Sequence, residues 1–378
     1  MDTLTEIKIN DIWQHNVSFL IGSGASYGLF PTLATKMDGE SIETLGKYFE
    51  DENKLNLKSL LFMYYYISCI KPVITYDIEV SKLSEGLSDI EDLHLGVISS
   101  YKELLNTLKT IASKNKSQKK INIFTTNYDA CFTDAYEELL LEQPNLEFVL
   151  NDGAKGFRRK FLEVRNFDTS EVKHSIFGKN QFDIPQVNLV HLHGSAFWTI
   201  DKNRIAVNYY QKECKFRTDF FDEVKIEIEA LNTIIQNESS VRSNFDGIQF
   251  GKKFSNLAEE FWKIYNTLPI VNPTKWKFHE TVFDEHYYQM LRLMSYELEK
   301  QDSVLVVFGF SFADEHITNL VKRSLGNKSL TMYLCCFNDT DYNSVLELFR
   351  EFNNVKLVKI NGLLDFNTFN TDVFHLPT

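Results

Sequence analysis

Five short segments of the chain are almost entirely apolar, without the alternation of apolar and polar positions that marks a strand with one solvent-exposed face. Continuous apolar runs of this length are typical of strands in a parallel sheet that is buried on both faces. These predicted strands are residues 17–21, 121–125, 188–192, 303–308 and 330–337. A sixth segment, 355–360, alternates apolar residues with lysines and is predicted to be an edge strand.

Helical patterns follow several of the predicted strands, at 129–141, 314–325 and 342–352. Strands that alternate with helices predict an α/β fold with a doubly wound, mostly parallel, Rossmann-like sheet. Two longer stretches, about 37–115 and 210–265, show only helical periodicity. We therefore expect a single domain over 1–378, with these two stretches as helical insertions.

Composition and charge limit the classes of protein to which the chain is expected to belong. Hydrophobic residues make up 43% of the chain, which supports a large core, and the net charge is -12. A uniformly acidic surface repels a phosphate backbone, so direct binding to nucleic acid is not expected. The longest apolar stretches are shorter than the roughly 20 residues that span a bilayer, and no secretory signal opens the chain. The expected location is the cytoplasm, without a membrane partner.

The cysteines form neither a metal motif nor a redox motif. There are five of them, an odd number, and no two have the Cys-x-x-Cys spacing. Their mostly apolar surroundings are typical of reduced thiols in a core. The cysteines are Cys69, Cys131, Cys214, Cys335 and Cys336.

Polar motifs follow four of the predicted strands. The first is a glycine-rich turn made of Gly22, Ser23, Gly24, Ala25 and Ser26. Glycine lets backbone N–H groups approach a pyrophosphate closely, so the turn is a candidate phosphate site. The alternative is a tight turn between strand and helix that holds no ligand.

The second motif contains Thr126, Asn127 and Asp129. It follows the strand at 121–125, and ligands of open α/β sheets bind at this carboxyl edge. We expect Asn127 to hold a ribose hydroxyl or a water, and Asp129 to accept from an amide. The alternative for Asp129 is a cap on the helix that follows.

The third motif contains His191, His193, Gly194 and Ser195. The two histidines have the spacing of one strand face, which raises a metal site as an alternative, but no further ligands recur at convincing spacing. Because the pKa of histidine lies near neutrality, a proton acceptor at the strand end is the preferred interpretation.

The fourth motif repeats the design of the first, with an apolar strand followed by Gly309, Ser311 and Asp314. The N–H groups at the start of the next helix are candidates for binding ribose or phosphate. The alternative for Asp314 is that it is a plain residue of the helix N-terminus.

The order Gly-x-Gly-Ala-Ser, Thr-x-Asn-x-Asp, His-Gly and Gly-x-Ser resembles the sirtuin superfamily, with the silent-information-regulator fold, over about 17–362. The motif wording most resembles the bacterial sirtuin-like anti-phage proteins. The resemblance implies that Asn127 lies beside the nicotinamide ribose of NAD, that Asp129 binds the nicotinamide amide, and that His193 is catalytic. The other residues implied to contact NAD are Gly22, Ser23, Gly24, Ala25, Ser26, Thr126, Gly194, Ser195, Gly309, Ser311, Asp314 and, by a looser match, Asn338.

Two departures separate the chain from protein-deacylating sirtuins. Those enzymes carry a four-cysteine zinc module, and they follow the glycine turn with Ile-Pro-Asp-Phe-Arg, where this chain has Leu-Phe-Pro-Thr-Leu at 29–33. The resemblance therefore implies an NAD hydrolase that needs no metal. Such an enzyme cleaves NAD to nicotinamide and ADP-ribose and depletes cellular NAD in anti-phage defence by abortive infection. The alternatives are a zinc-less NAD-dependent deacylase and a non-catalytic sensor of NAD or ADP-ribose.

The resemblance also implies regulation, because an unrestrained NAD hydrolase would kill its own cell. We expect a homo-oligomer and a separately encoded partner, such as a HerA-type hexameric DNA-translocating ATPase. These expectations rest on analogy with the family and not on particular residues.

Overall fold

The computed structural model describes residues 2–31, 35–83, 89–115, 119–174, 181–210, 215–271 and 282–376. The strands are β1 (Asp2–Leu4), β2 (Asn16–Ile21), β3 (Lys120–Thr125), β4 (Val149–Asn151), β5 (Ala154–Lys155), β6 (Lys160–Leu162), β7 (Val172–His174), β8 (Gln181–Asp183), β9 (Gln186–His191), β10 (Trp198–Asp201), β11 (Arg204–Val207), β12 (Ser303–Phe308), β13 (Thr331–Cys335) and β14 (Val355–Val358). The helices are α1 (Ile9–Ile12), α2 (Ile42–Asp51), α3 (Leu55–Tyr65), α4 (Lys71–Thr75), α5 (Ile78–Leu83), α6 (Asp89–Lys114), α7 (Cys131–Glu142), α8 (Lys225–Ile235), α9 (Phe254–Tyr265), α10 (Val282–Glu299), α11 (Glu315–Ser324), α12 (Asp339–Phe349) and α13 (Phe366–Thr368).

An eight-stranded sheet with the order β1-β14-β13-β12-β2-β3-β9-β4 forms the centre of the molecule. All of its neighbouring strands are parallel. Helices cover both faces, so the prediction of a doubly wound, Rossmann-like α/β fold is confirmed. Each of the five continuous apolar runs coincides with a strand of this sheet. A strand that is covered on both faces has no solvent-exposed side, so its sequence does not alternate between apolar and polar residues.

Side chains that alternate along each strand separate the core into two layers. Phe19 and Ile21 of β2 lie in one layer, where Leu104 of α6 packs against the sheet. Leu20 lies in the other layer, together with Met294 of α10. Both layers are mostly apolar, which explains why the sequence of β2 shows little alternation.

The prediction that 355–360 forms an edge strand is wrong. β14 pairs with β13 on one side and with β1 on the other, so the three-residue β1 is the edge. The lysines that suggested an edge are accommodated at the ring faces of tyrosines. The Nζ of Lys356 lies 5.3 Å from the ring centroid of Tyr333, and the Nζ of Lys359 lies 5.0 Å from that of Tyr342. A long lysine stem can cover apolar surface while its ammonium group stays solvated.

The order in which strands are added to the sheet reverses between β2 and β12. From β2 the chain continues through β3 to β9 on one side of the sheet, and from β12 it continues through β13 to β14 on the other. The crossovers on either side of this point therefore run towards opposite edges of the sheet. Open α/β sheets bind their ligands at such a switch point.

The helical segments outside the sheet layers share one core of their own. Phe49 of α2, Leu61 of α3, Leu231 of α8 and Phe261 of α9 belong to a single apolar cluster, which we call the helical cluster. The stretches predicted as two insertions therefore pack against each other. The first predicted stretch, 37–115, divides in the structure, because α6 packs against the sheet and not in the helical cluster.

Short antiparallel elements complete the fold, and the sequence analysis did not predict them. β10, β11, β6 and β5 form a four-stranded sheet in that order, and β7 pairs with β8. Each of these strands has two to four residues, which is too short for an apolar pattern to develop. Among the described helices, none combines the length and the apolar character needed to cross a bilayer.

Truncation of a buried leucine on α8 tests whether the helical cluster is a tightly packed core. Leu231 is fully buried, and we expect Leu231→Ala to lower the free energy of unfolding by about 2–5 kcal/mol through lost burial and a residual cavity. Ile226 on the same helix is 80% exposed, so Ile226→Ala serves as the control and should change stability by less than about 0.5 kcal/mol. Urea unfolding curves measure both. Equal midpoints for the two variants would contradict a packed cluster.

Candidate functional site

The four polar motifs of the sequence lie on four neighbouring strands, β12, β2, β3 and β9. The register of these strands places Phe308, Ile21, Thr125 and His191 in one row across the sheet. Three of the motifs follow directly after this row, and the third motif begins in it at His191. The carboxyl edge at the switch point therefore brings together residues that are up to about 290 positions apart in the sequence.

The two glycine turns at β2 and β12 contact each other through their backbones. The N–H of Gly22 donates to the carbonyl of Phe308 at 3.0 Å, and the N–H of Gly24 donates to that of Gly309 at 2.9 Å. A Cβ on Gly22 would lie 2.4 Å from the carbonyl oxygen of Gly309, and Gly309 itself has a φ of 66°. The close contact of the two turns therefore explains why these positions are glycines, whether or not a phosphate binds there.

The first turn is a short 3₁₀ segment, Ser23–Ser26, and it presents its residues in different ways. Ser23 is exposed and Gly24 is half-buried, whereas Ala25 and Ser26 are buried. The N–H of Ala25 donates to the carbonyl of Gly22 at 3.1 Å. Since the N–H groups of Gly22 and Gly24 also donate to carbonyls, three of the five N–H groups of the turn already have protein acceptors.

Ser26 is the centre of a buried hydrogen-bond network. Its Oγ donates to Oδ2 of Asp129 at 2.6 Å, and it lies 2.7 Å from the hydroxyl of Tyr101. Because the single proton of Ser26 goes to the carboxylate, the Tyr101 hydroxyl must donate to Ser26. Burial, together with the nearby charge of Asp129, raises the pKa of Tyr101 well above its usual range, so the phenol keeps this proton.

Tyr101 was missed by the sequence analysis. It lies on α6, among the regularly spaced apolar residues Ile98, Leu104, Leu105 and Leu108, and it is fully buried. The available signal is its hydroxyl, because a phenol on the buried face of an otherwise apolar helix needs a hydrogen-bond partner inside the protein.

Asn127 joins the same network and leaves one atom without a partner. Its Nδ2 donates to Oγ of Ser26 at 3.1 Å and to the Tyr101 hydroxyl at 3.4 Å. Its Oδ1 is buried and accepts no hydrogen bond from the described part of the chain, although the residue is only 7% exposed. A buried acceptor without a donor costs about 1–3 kcal/mol, which a ligand hydroxyl or a water would recover.

Asp129 has contacts that fit both of the roles considered for it. Its Oδ1 accepts from the backbone N–H of Cys131 at 3.1 Å, at the start of α7, as a capping carboxylate does. Its Oδ2 accepts from Ser26 within the buried network. Each oxygen can accept a second hydrogen bond, so the carboxylate retains acceptor capacity.

The two histidines of the third motif bind different partners. His191 is buried, and its Nδ1 donates to the backbone carbonyl of Asn127 at 3.0 Å. Burial lowers the pKa of His191, so its imidazole stays neutral. His193 instead contacts Asp314. Within the described ranges, no three His, Cys, Asp or Glu side chains lie close enough together to hold a metal ion.

The contact between His193 and Asp314 connects the two outer motifs. Nε2 of His193 lies 2.9 Å from Oδ2 of Asp314. The strands that carry them, β9 and β12, are separated by β3 and β2, which is about 14 Å across three strand spacings. The pair therefore reaches across the ends of both inner strands. Burial would raise the pKa of Asp314, but hydrogen bonds from His193 and from the N–H of Ile317 lower it to about 2.

A segment from the helical cluster holds the turn that follows His193. The N–H of Val271 donates to the carbonyl of His193 at 2.8 Å, and Gly194 forms an antiparallel bridge with Ile270. Gly194 has a φ of 80°, and a Cβ there would lie 2.0 Å from the carbonyl oxygen of Pro269.

Ser195 is fully buried, and its Oγ donates to the carbonyl of Tyr128 at 3.1 Å. Gly194 and Ser195 thus have packing roles in the protein itself.

The remaining predicted residues lie in the segments that follow β3, β12 and β13. Thr126 is half-buried, and its N–H donates to the carbonyl of Ile21 at 3.2 Å. Ser311 is exposed and precedes Phe312, which has the left-handed φ of 59° that is rare for an aromatic residue.

Asn338 caps α12, where its Oδ1 accepts from the N–H of Asp341 at 2.9 Å. β13, which precedes Asn338, lies beside β12, so Asn338 is on the far side of the Gly309 turn from Asn127.

Comparison with models of protein families and with curated proteins finds no match for the chain. The sirtuin resemblance therefore stays a prediction that rests on the motifs.

An alanine at Gly309 tests the close contact of the two turns. We expect Gly309→Ala to lower the free energy of unfolding by about 1–3 kcal/mol or more, because the positive φ and the contact with the Ala25 nitrogen both oppose a Cβ. Gly96→Ala is the control. It lies within α6, has open space around it, and should raise stability by up to about 1 kcal/mol. Thermal unfolding measures the two shifts, and a neutral Gly309→Ala would refute the contact.

Removal of one hydroxyl tests the buried network. Tyr101→Phe takes away one of the two donors to Ser26 and the acceptor of one Asn127 amide hydrogen, and we expect a loss of about 1–3 kcal/mol because that buried N–H then lacks an acceptor. Tyr288→Phe, at a position that is 67% exposed, should stay within about 0.5 kcal/mol of the wild type. Chemical unfolding followed by circular dichroism compares them. If both changes are equally small, the Tyr101 hydroxyl does not stabilise the site.

Proposed function

We propose that this chain is an NAD glycohydrolase that cleaves NAD to nicotinamide and ADP-ribose. The observation that carries the proposal is the buried Oδ1 of Asn127, which accepts no hydrogen bond from the described residues and belongs, with the carboxylate of Asp129, to the network around Ser26. A polar acceptor without a donor, in a buried network at the ligand edge of a Rossmann-like sheet, is the kind of group that a ribose hydroxyl satisfies.

The chemistry of the reaction fits these groups. Nicotinamide is a cationic leaving group, and the transition state for breaking its bond to ribose has the character of an oxocarbenium ion. The negative charge of a carboxylate such as Asp129 stabilises this developing positive charge in a water-poor site. The same carboxylate retains lone pairs that can accept the amide N–H of nicotinamide.

The step balances without any other reactant. The oxygen of a water molecule forms a bond to the anomeric carbon while the carbon–nitrogen bond breaks. The bonding electron pair moves to the nicotinamide nitrogen, which becomes neutral. The water proton passes to an imidazole, the role we assign to His193. Asn127 aligns the ribose or the water through its Oδ1. NAD is the substrate in this scheme, and the step uses no metal.

The cysteines favour hydrolysis over protein deacylation. Cys69, Cys131, Cys335 and Cys336 are buried free thiols in the described structure, and Cys214 lies outside the described residues. No two cysteines of the chain have the Cys-x-x-Cys spacing on which a four-cysteine zinc module is built. A deacylase would need another wall for its acyl-lysine tunnel.

The biological setting is proposed from the sirtuin resemblance alone. Depletion of NAD in the cytoplasm would stop phage replication at the cost of the infected cell, as abortive infection. A homo-oligomer and a separately encoded regulator, such as a HerA-type hexameric ATPase, would restrain the activity. NAD turnover should therefore be measured with the protein alone and with such a partner.

Substitution of the two central polar residues tests the proposal. We expect Asn127→Ala and His193→Ala each to lower the rate of NAD loss by at least about 100-fold while the fold is retained, because each removes a group that acts on the reacting ribose or water. His174→Ala, at an exposed position on β7, is the matched control and should keep the wild-type rate. Chromatography of NAD and ADP-ribose measures turnover, and circular dichroism checks folding. His193→Ala at the wild-type rate would exclude the mechanism.

Product analysis separates the other two functions. Incubation with NAD and an acetylated peptide should give nicotinamide and plain ADP-ribose. O-acetyl-ADP-ribose would instead identify a deacylase. Tight NAD binding with unchanged NAD after long incubation, alone and with the partner, would identify a sensor and overturn the hydrolase.

A further inference from the structure

Asp314 has a protein donor on each of its carboxylate oxygens. Oδ1 accepts from the backbone N–H of Ile317 at 3.0 Å, which makes Asp314 the N-cap of the ten-residue helix α11. Oδ2 faces Nε2 of His193 at 2.9 Å. The side chains of the pair are only 13% and 15% exposed, so solvent screens this contact less than it screens an ion pair on the surface.

The loop before Asp314 is fixed by contacts of its own. Phe312 is buried despite its left-handed backbone conformation, and its carbonyl accepts from Oγ1 of Thr318 at 2.9 Å. The positive end of the α11 dipole also stabilises a carboxylate at this position. The loop and the helix that follow one another around Asp314 therefore position its carboxylate independently of the contact with His193.

The chemistry of the contact fixes where the imidazole proton lies. The low pKa of Asp314, about 2, keeps the carboxylate ionised, and an ionised carboxylate can only accept hydrogen bonds. The nitrogen that faces it must therefore carry a proton. In a neutral imidazole the other nitrogen, Nδ1, is then the acceptor.

We propose that Asp314 is a positioning residue that fixes the Nε2–H tautomer of His193, so that Nδ1 is the nitrogen that takes the proton from the attacking water. This inference rests on the proposed hydrolysis. It gives Asp314 a different role from the contact with NAD that the sequence resemblance implied: one of its oxygens faces His193 and the other caps α11.

The variant Asp314→Asn reverses the polarity of the contact while the cap is kept. Asparagine caps helices about as well as aspartate, and its carbonyl oxygen must face the N–H of Ile317 to do so. Its amide N–H₂ then faces His193, where it requires Nε2 to accept. The imidazole proton is forced to Nδ1, which is the wrong nitrogen for the proposed base.

Asp314→Ser removes the contact instead of reversing it. Serine also caps helices, but its side chain is one heavy-atom position shorter and does not reach His193. The matched control is Asp365→Asn. Asp365 caps α13 by accepting from the N–H of Thr368 at 2.8 Å, and it lies outside the site.

Kinetics and spectroscopy of these variants test the inference. We expect Asp314→Asn to lower kcat for NAD by about 10³–10⁴-fold, the loss typical of a base held in the wrong tautomer, with KM changed less than about threefold. Asp314→Ser should lose less, and Asp365→Asn should keep the wild-type kcat. Nitrogen-15 NMR of labelled histidine at about pH 9, above the ordinary pKa of histidine, should show Nε2–H for His193 in the wild type and Nδ1–H in Asp314→Asn. His193→Gln assigns the signal by its loss.

The outcomes separate this inference from the proposed function. An Nδ1–H tautomer in the wild type overturns the positioning role, and so does a raised KM with an unchanged kcat in Asp314→Asn, which indicates direct contact with NAD. If the wild type leaves NAD intact, the hydrolase proposal and the base role of Nδ1 fall together, while the NMR spectra still decide whether Asp314 sets the tautomer.

Discussion

The contact between two backbone turns at the switch point is the constraint on which the site depends. The turns after β2 and β12 approach so closely that Gly22, Gly24 and Gly309 have no room for a Cβ. Their contact extends the parallel pairing of β2 and β12, the two strands between which the strand order reverses. It also fixes the start of the segment that carries Ser26 into the core. The position of the buried polar network therefore follows from a backbone contact and not from the polar side chains themselves.

The direction of each hydrogen bond in that network follows from the single proton that Ser26 can donate. Ser26 has one proton, which goes to Asp129, so Tyr101 and Asn127 must both donate towards Ser26. This set of bonds turns the amide nitrogen of Asn127 towards Ser26 and leaves its Oδ1 without a donor among the described residues. A fold gains nothing from a buried acceptor in this condition. The arrangement makes physical sense when a ligand or a water completes it.

The sequence predicts the sheet well because its strands are buried on both faces, and it predicts the site less completely. β14 was misjudged because Lys356 and Lys359 reach the faces of tyrosine rings, which a pattern of polar positions cannot reveal. Tyr101 belongs to no motif, since its partner Ser26 is 75 residues away and only the fold brings them together. The motifs lie at the strand ends, as predicted, but a glycine pattern alone does not reveal that the turns with Gly22, Gly24 and Gly309 contact each other.

His193 illustrates how several parts of the fold determine one side chain. Its backbone carbonyl accepts from Val271, which follows the helical cluster, and its imidazole contacts Asp314 at the start of α11. The strand that carries the residue, β9, ends two positions earlier at His191. The helical cluster and α11 therefore jointly set the orientation of the imidazole. Residues that share one partner in this way do not contribute independently, so substitutions on the two sides of His193 should have effects that are not additive.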